Sequence, residues 1–86
     1  MEIRFTKHAL ERLTERKIEI EQILLTIKKP DIKTEEINQS AFYKVFEELA
    51  LKVVIREQDE TIKVITVHWL EKDRLKKLKP IIEGEL

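Results

Sequence analysis

The chain has 86 residues, with 17 Lys/Arg against 17 Asp/Glu and no cysteine. That length supports one domain, and 30 Leu, Ile, Val and Phe at zero net charge exclude intrinsic disorder. The lack of cysteine excludes a disulfide framework, a zinc ribbon and a cysteine nucleophile, and no apolar run approaches the roughly 18 residues of a membrane span or a signal peptide's core, so a soluble cytoplasmic protein is expected.

Phe5 closes a short opening segment, and Thr6 is placed to cap the helix that follows. The first helix is expected from about Lys7 to Arg16, with a thin core stripe of Ala9, Leu10 and Leu13. Lys17-Ile18 interrupts the pattern. A second helix is expected from about Glu19 to Lys28, with Ile20, Ile23, Leu24 and Ile27 at i, i+3, i+4 and i+7. Pro30 ends it, because the residue before a proline is pushed out of the helical region. The two form an αα-hairpin.

The composition then turns to β-formers. Ile32–Ile37 is a weak strand candidate, and Phe42–Phe46, Leu49–Arg56 and Thr61–Trp69 are stronger ones. Their short polar connections imply antiparallel neighbours. A short last helix is expected from about Glu71 to Lys79, ended by Pro80. The expected class is α+β: two N-terminal helices packed on a sheet of three or four antiparallel strands, with a short C-terminal helix. Charge is uneven along the chain. Residues 31–60 carry four Lys/Arg against eight Asp/Glu, and both ends are mildly basic. The charge-rich, glycine-poor composition is like that of heat-adapted proteins, in which ion pairs cost less to desolvate as temperature rises.

Three groups of residues carry potential chemistry. His8, Arg12 and Arg16 fall at i, i+4 and i+8 and form one stripe beside the buried face of the first helix. His8 stands in the first turn, where helix amides attract anions. The same stripe also fits a solvated face on which the arginines pair with Glu11 or Glu15. His68 emerges near the end of a strand; period two puts it with Ile62, Val64 and Thr66, while Lys63, Ile65, Val67 and Trp69 point the other way. It suits acid/base work and equally a half-buried histidine bonded to a carbonyl. Lys52, Val54 and Arg56 share a strand face, and Lys44 joins them if the hairpin register allows. Were that face also to carry His68, base, acid and charge-stabilising groups for RNA cleavage without a metal would stand together. Alternate charged residues on a solvated sheet face explain the same spacing. No HxH or HExxH spacing supports a metal site, and the single glycine, Gly84, leaves no phosphate-binding loop. No cofactor is implied.

The stretch Phe5-Thr6-Lys7-His8-Ala9-Leu10-Glu11-Arg12-Leu13-Thr14-Glu15-Arg16-Lys17-Ile18, with Lys29-Pro30-Asp31 and Val64-Ile65-Thr66-Val67-His68-Trp69, resembles a small family called domain of unknown function 4258, over about residues 3–70. Its members open with threonine, one residue, histidine, and arginines four and eight further on, followed by glycine-isoleucine. Lys17 stands here in place of that glycine, and His68 in place of an aromatic. The family is similar in layout to RelE/ParE-like toxins and to barnase-, EndoU- and colicin-like ribonucleases. The resemblance implies one toxin-like RNase domain over residues 1–86, with RNA as substrate and an antitoxin-like partner. It carries over His8, Arg12 and Arg16 as characteristic polar residues and Thr66 as the strand threonine. The expected activity is a metal-independent endoribonuclease, with His8, Arg12, Arg56 and His68 catalytic and Arg16, Lys44, Lys52 and Thr66 binding phosphate. The alternative is a non-catalytic interaction module that blocks a target as ParE-type proteins do. For it, the apolar residues Leu70, Leu75, Leu78, Ile81, Ile82 and Leu86 offer a homodimer surface or an antitoxin-docking groove.

Overall fold

The computed structural model describes residues 2–77. Strand β1 (Glu2–Phe5) leads into helices α1 (Lys7–Glu15) and α2 (Ile20–Lys28). Strands β2 (Ile32–Glu36), β3 (Gln39–Phe46), β4 (Leu49–Gln58) and β5 (Thr61–Glu71) follow, and a 3-10 turn spans Lys72–Lys77. The five strands form one sheet in the order β1-β5-β4-β3-β2. The α+β class stands, but the sheet is larger than three or four strands and is mixed. β1 is the reason: its four residues are too short for a periodicity signal, yet Ile3 and Phe5 pack on the core while the strand pairs parallel to β5, from Glu2↔Thr61 to Phe5↔Val64. The expected C-terminal helix is also corrected. β5 continues to Glu71, paired with Leu49, because Leu70 still has a partner in Ala50. The 3-10 turn then lays Leu75 against Ile32, Tyr43 and Ala50. Leu78, Ile81, Ile82 and Leu86, assigned above to a dimer or antitoxin surface, lie outside the described residues.

Both helices cover one face of the sheet. Ala9, Ile18 and Ile23 meet Phe42, Leu51, Val53, Ile55, Ile62, Val64 and Val67 there. Among the described residues, only the 3-10 turn lies on the second face. Thr6 caps α1 as expected, its hydroxyl accepting from the Ala9 amide at 3.0 Å. The helix ends in a Schellman arrangement. Lys17 takes φ 55°, Lys17 N–H donates to Thr14 C=O and Ile18 N–H to Leu13 C=O. The left-handed residue that glycine would supply is thus kept with a lysine. At α2, the Gln22 side chain accepts from the Glu19 amide at 3.0 Å.

One local irregularity decides which side chains share the second face. In the β4–β5 ladder Val54 pairs with Thr66, but Ile55 pairs with Val64, so Ile65 is an extra residue without a partner. The bulge inverts the alternation. Ile62 and Val64 point to the helices before it, and Val67 and Trp69 do so after it. Thr66 and His68 therefore leave the face expected for them with Ile62 and Val64, and stand instead beside Lys52 and Val54.

Candidate functional site

The second face is built in rows by the register of the strands. Tyr43, Lys52 and His68 are successive cross-strand partners. The next row is Ala41, Val54 and Thr66. Lys52 lies with its ammonium 5.6 Å from the centre of the Tyr43 ring, a cation–π contact that fixes the flexible lysine stem.

Arg16 reaches His68 from a different element. β1 ends at Phe5, so β5 past the bulge has no neighbouring strand on that side, and side chains serve its carbonyls instead. The Thr6 hydroxyl donates to Ile65 C=O at 3.1 Å. The Arg16 guanidinium donates to Val67 C=O at 2.9 Å, and the Trp69 indole N–H donates back to Arg16 C=O at 3.1 Å. Trp69 is itself set edge-on against Phe46. This reciprocal clamp pins the C-terminal end of α1 to β5 and holds a guanidinium next to His68.

The imidazole of His68 is half-buried. Burial holds its pKa below the ordinary 6.5, and the positive charges of Lys52 and Arg16 lower it further. It is therefore neutral at pH 7, between two cations. A neutral imidazole accepts a proton, and its cationic neighbours attract the anion from whose vicinity that proton would come.

The other candidate residues are distributed as follows. Arg12 lies on α1 with His8; its Nε donates to His8 Nε2 at 3.4 Å and its Nη1 contacts Glu15 Oε1 at 2.6 Å. The expected stripe thus divides. Arg16 is committed to β5, while His8, Arg12 and Glu15 form a mostly exposed group on the helix. Lys44 is not on the second face. Tyr43 is the residue opposite Lys52, and Lys44 pairs with Leu51 on the helix side. Its ammonium donates to Lys29 C=O at 2.9 Å, at the C-terminal end of α2 where positive charge is favoured. Arg56 shares the face of Lys52 but stands four residues along β4, about 13 Å at the strand rise. Its cross-strand neighbour is Lys63. Sequence reasoning missed Tyr43 and separated Lys63 from His68, since the first depends on hairpin register and the second on the bulge. Among the described residues, no three His, Asp or Glu side chains cluster as metal ligands do, and no helix is long and apolar enough to cross a membrane.

The family model described as a domain of unknown function (DUF4258) matches residues 5–69, which include Thr6, Arg16, Lys52 and His68. No curated protein and no solved structure matches the chain.

Proposed function

We propose that this chain, which belongs to the DUF4258 family, is a toxin-like endoribonuclease domain whose cleavage step uses side chains and no metal ion. The observation that carries the reading is the convergence on His68 of Lys52 from β4 and Arg16 from α1. In this step neutral His68 takes the proton of an RNA 2′-hydroxyl. The 2′-oxygen attacks the adjacent phosphorus, the bond to the 5′-oxygen breaks, and that oxygen leaves with a proton from water. The products are a 2′,3′-cyclic phosphate and a free 5′-hydroxyl. Lys52 and Arg16 stabilise the charge that builds on the phosphoryl oxygens, and Thr66, one row away, lines the approach. His8 and Arg12 are assigned an outer phosphate contact rather than the chemical step, because they bond to each other and to Glu15. The test is incubation of purified protein with total RNA in EDTA. Cleavage by the wild type and a loss of about 100-fold or more in His68→Ala is expected; equal cleavage by both removes His68 from the mechanism.

A second reading, a non-catalytic module bound by an antitoxin-like protein, is favoured by one feature. Leu10, Ile20, Leu24 and Leu25 on the two helices are 39–46% exposed, an apolar set of the kind partners cover. Growth on expression separates the readings. A nuclease loses its toxicity with His68→Ala, whereas a partner-blocking module keeps it and loses it with Leu24→Glu.

A further inference from the structure

A second cationic group lies on the same face, away from His68. Arg4 pairs with Lys63 across β1 and β5, and Lys63 pairs with Arg56 across β5 and β4. The neighbours on each strand settle the direction of these side chains. Ile3 and Phe5, Ile62 and Val64, and Ile55 all pack toward the helices, so Arg4, Lys63 and Arg56 stand on the second face in one row. Three like charges directly opposite one another in a sheet are destabilising. Arg4 has a partial remedy in Glu2, 3.3 Å away. Among the described residues, neither Lys63 nor Arg56 has an ion-pair partner. A fold held together by a small margin retains such a row at a cost, and an anion spanning it would remove that cost.

The surroundings define the shape of that anion. Toward the middle of the face, the row is followed by the short side chains of Val54 and Thr66, and then by Lys52 and His68. Lys52 and Arg56 are about 13 Å apart at the strand rise. Arg56 itself lines a polar cleft at the hairpin end of the sheet together with Glu35, Glu36 and Glu57, and these carboxylates bound the cationic area on that side. The face thus offers two positive rows separated by a low strip, too far apart for one phosphate and suited to phosphates of one chain.

We infer that Arg4, Lys63 and Arg56 form a phosphate-binding ladder that holds the backbone of single-stranded RNA while another phosphate of the same strand lies at Lys52, Arg16 and His68. The choice of RNA as the polyanion rests on the nuclease reading; the ladder itself rests on strand register. Its role is to hold and align substrate, and none of the three residues takes part in the bond-breaking step.

The test uses a fluorescently labelled single-stranded RNA of about twelve nucleotides and the full chain carrying His68→Ala, so that binding is read without cleavage. Affinity is measured by anisotropy between 50 and 300 mM salt. Each phosphate contact on a single strand contributes about 0.7 to the slope of log affinity against log salt. Lys63→Gln and Arg56→Gln should each weaken binding by roughly three- to tenfold at low salt and reduce that slope by about 0.7. Lys63→Arg should restore both, which guards against a general folding defect. No binding by the parent protein, or an unchanged slope in the glutamine variants, overturns the ladder. The nuclease reading fails separately. A slope that falls as expected, with no cleavage by the wild type in EDTA, supports the ladder and sinks the nuclease; cleavage with an unaffected slope does the reverse.

Discussion

His68 is set by three neighbours, and its titration is the most direct handle on the site. Its pKa lies below 6.5 because it is half-buried and faces Lys52 and Arg16. The unfolded chain therefore takes up a proton at His68 before the folded one does. The stability His68 permits is complete above about pH 6.5 and is lost as pH falls toward the folded pKa. His68→Gln should flatten the fall of Tm with acidity in that window, read by thermal melts from pH 7.5 to 5. In the proposed reaction the acid limb of the rate profile reports the same group. Lys52→Gln removes a positive neighbour, so the limb should move to higher pH; a limb that stays in place would mean that another base is titrating. Lys17 gives a second prediction at this scale. It holds φ 55° at the end of α1, a conformation that costs a side-chain-bearing residue about 1–2 kcal/mol. Lys17→Gly should raise stability by up to about 1 kcal/mol in urea unfolding, the gain being reduced by the greater backbone freedom of glycine in the unfolded chain. Asn38, Glu47 and Asp59 hold similar angles in the hairpin loops, as a chain with one glycine requires.

At the scale of elements, the junction of β1, α1 and the bulge of β5 has Thr6 at its centre. Its amide bonds Val64 C=O, its hydroxyl bonds Ile65 C=O, and the same oxygen caps α1. Thr6→Val keeps the shape and removes both side-chain bonds. It should cost about 1–2 kcal/mol, measured by urea unfolding. Because Ile65 is the residue that turns His68 toward Lys52, the same variant should perturb the NMR shifts of the His68 ring more than those of His8. An effect confined to α1 would show that the bulge is held by its own strand pairing and not by Thr6.

Across the whole molecule, stability is concentrated where the helices meet β4 and β5. Leu51 is fully buried there, opposite Trp69, whereas Leu49, two residues earlier on the same strand, is 40% exposed. Leu51→Ala should cost about 2–5 kcal/mol and Leu49→Ala well under half as much. Equal costs would mean that the edge of the sheet near Phe46 and Trp69 is as tightly packed as its centre. The parallel pairing of β1 with β5 joins the two ends of the described chain, so closing the sheet requires contacts between residues about sixty apart.

The sequence by itself determined the elements whose signals are local. Thr6 as a cap, Pro30 as a stop, the apolar stripe of α2 and the short polar connections between strands all follow from neighbours within four positions, and the family motif from Phe5 to Ile18 is equally local. It also marked His8, Arg12, Arg16, Lys52, Arg56 and His68 as residues able to do chemistry. Tertiary structure alone decided which of them meet. A four-residue strand became part of the sheet only because β5 offered it an unpaired edge. One extra residue at Ile65 turned Thr66 and His68 away from the face of Ile62 and Val64 and onto that of Lys63, where a strict period of two does not put them. Hairpin register sent Lys44 to the helix face and Tyr43 to Lys52. In each case the deciding interaction joins residues distant in sequence, and side-chain periodicity along one strand carries no information about the partner strand against which it is read.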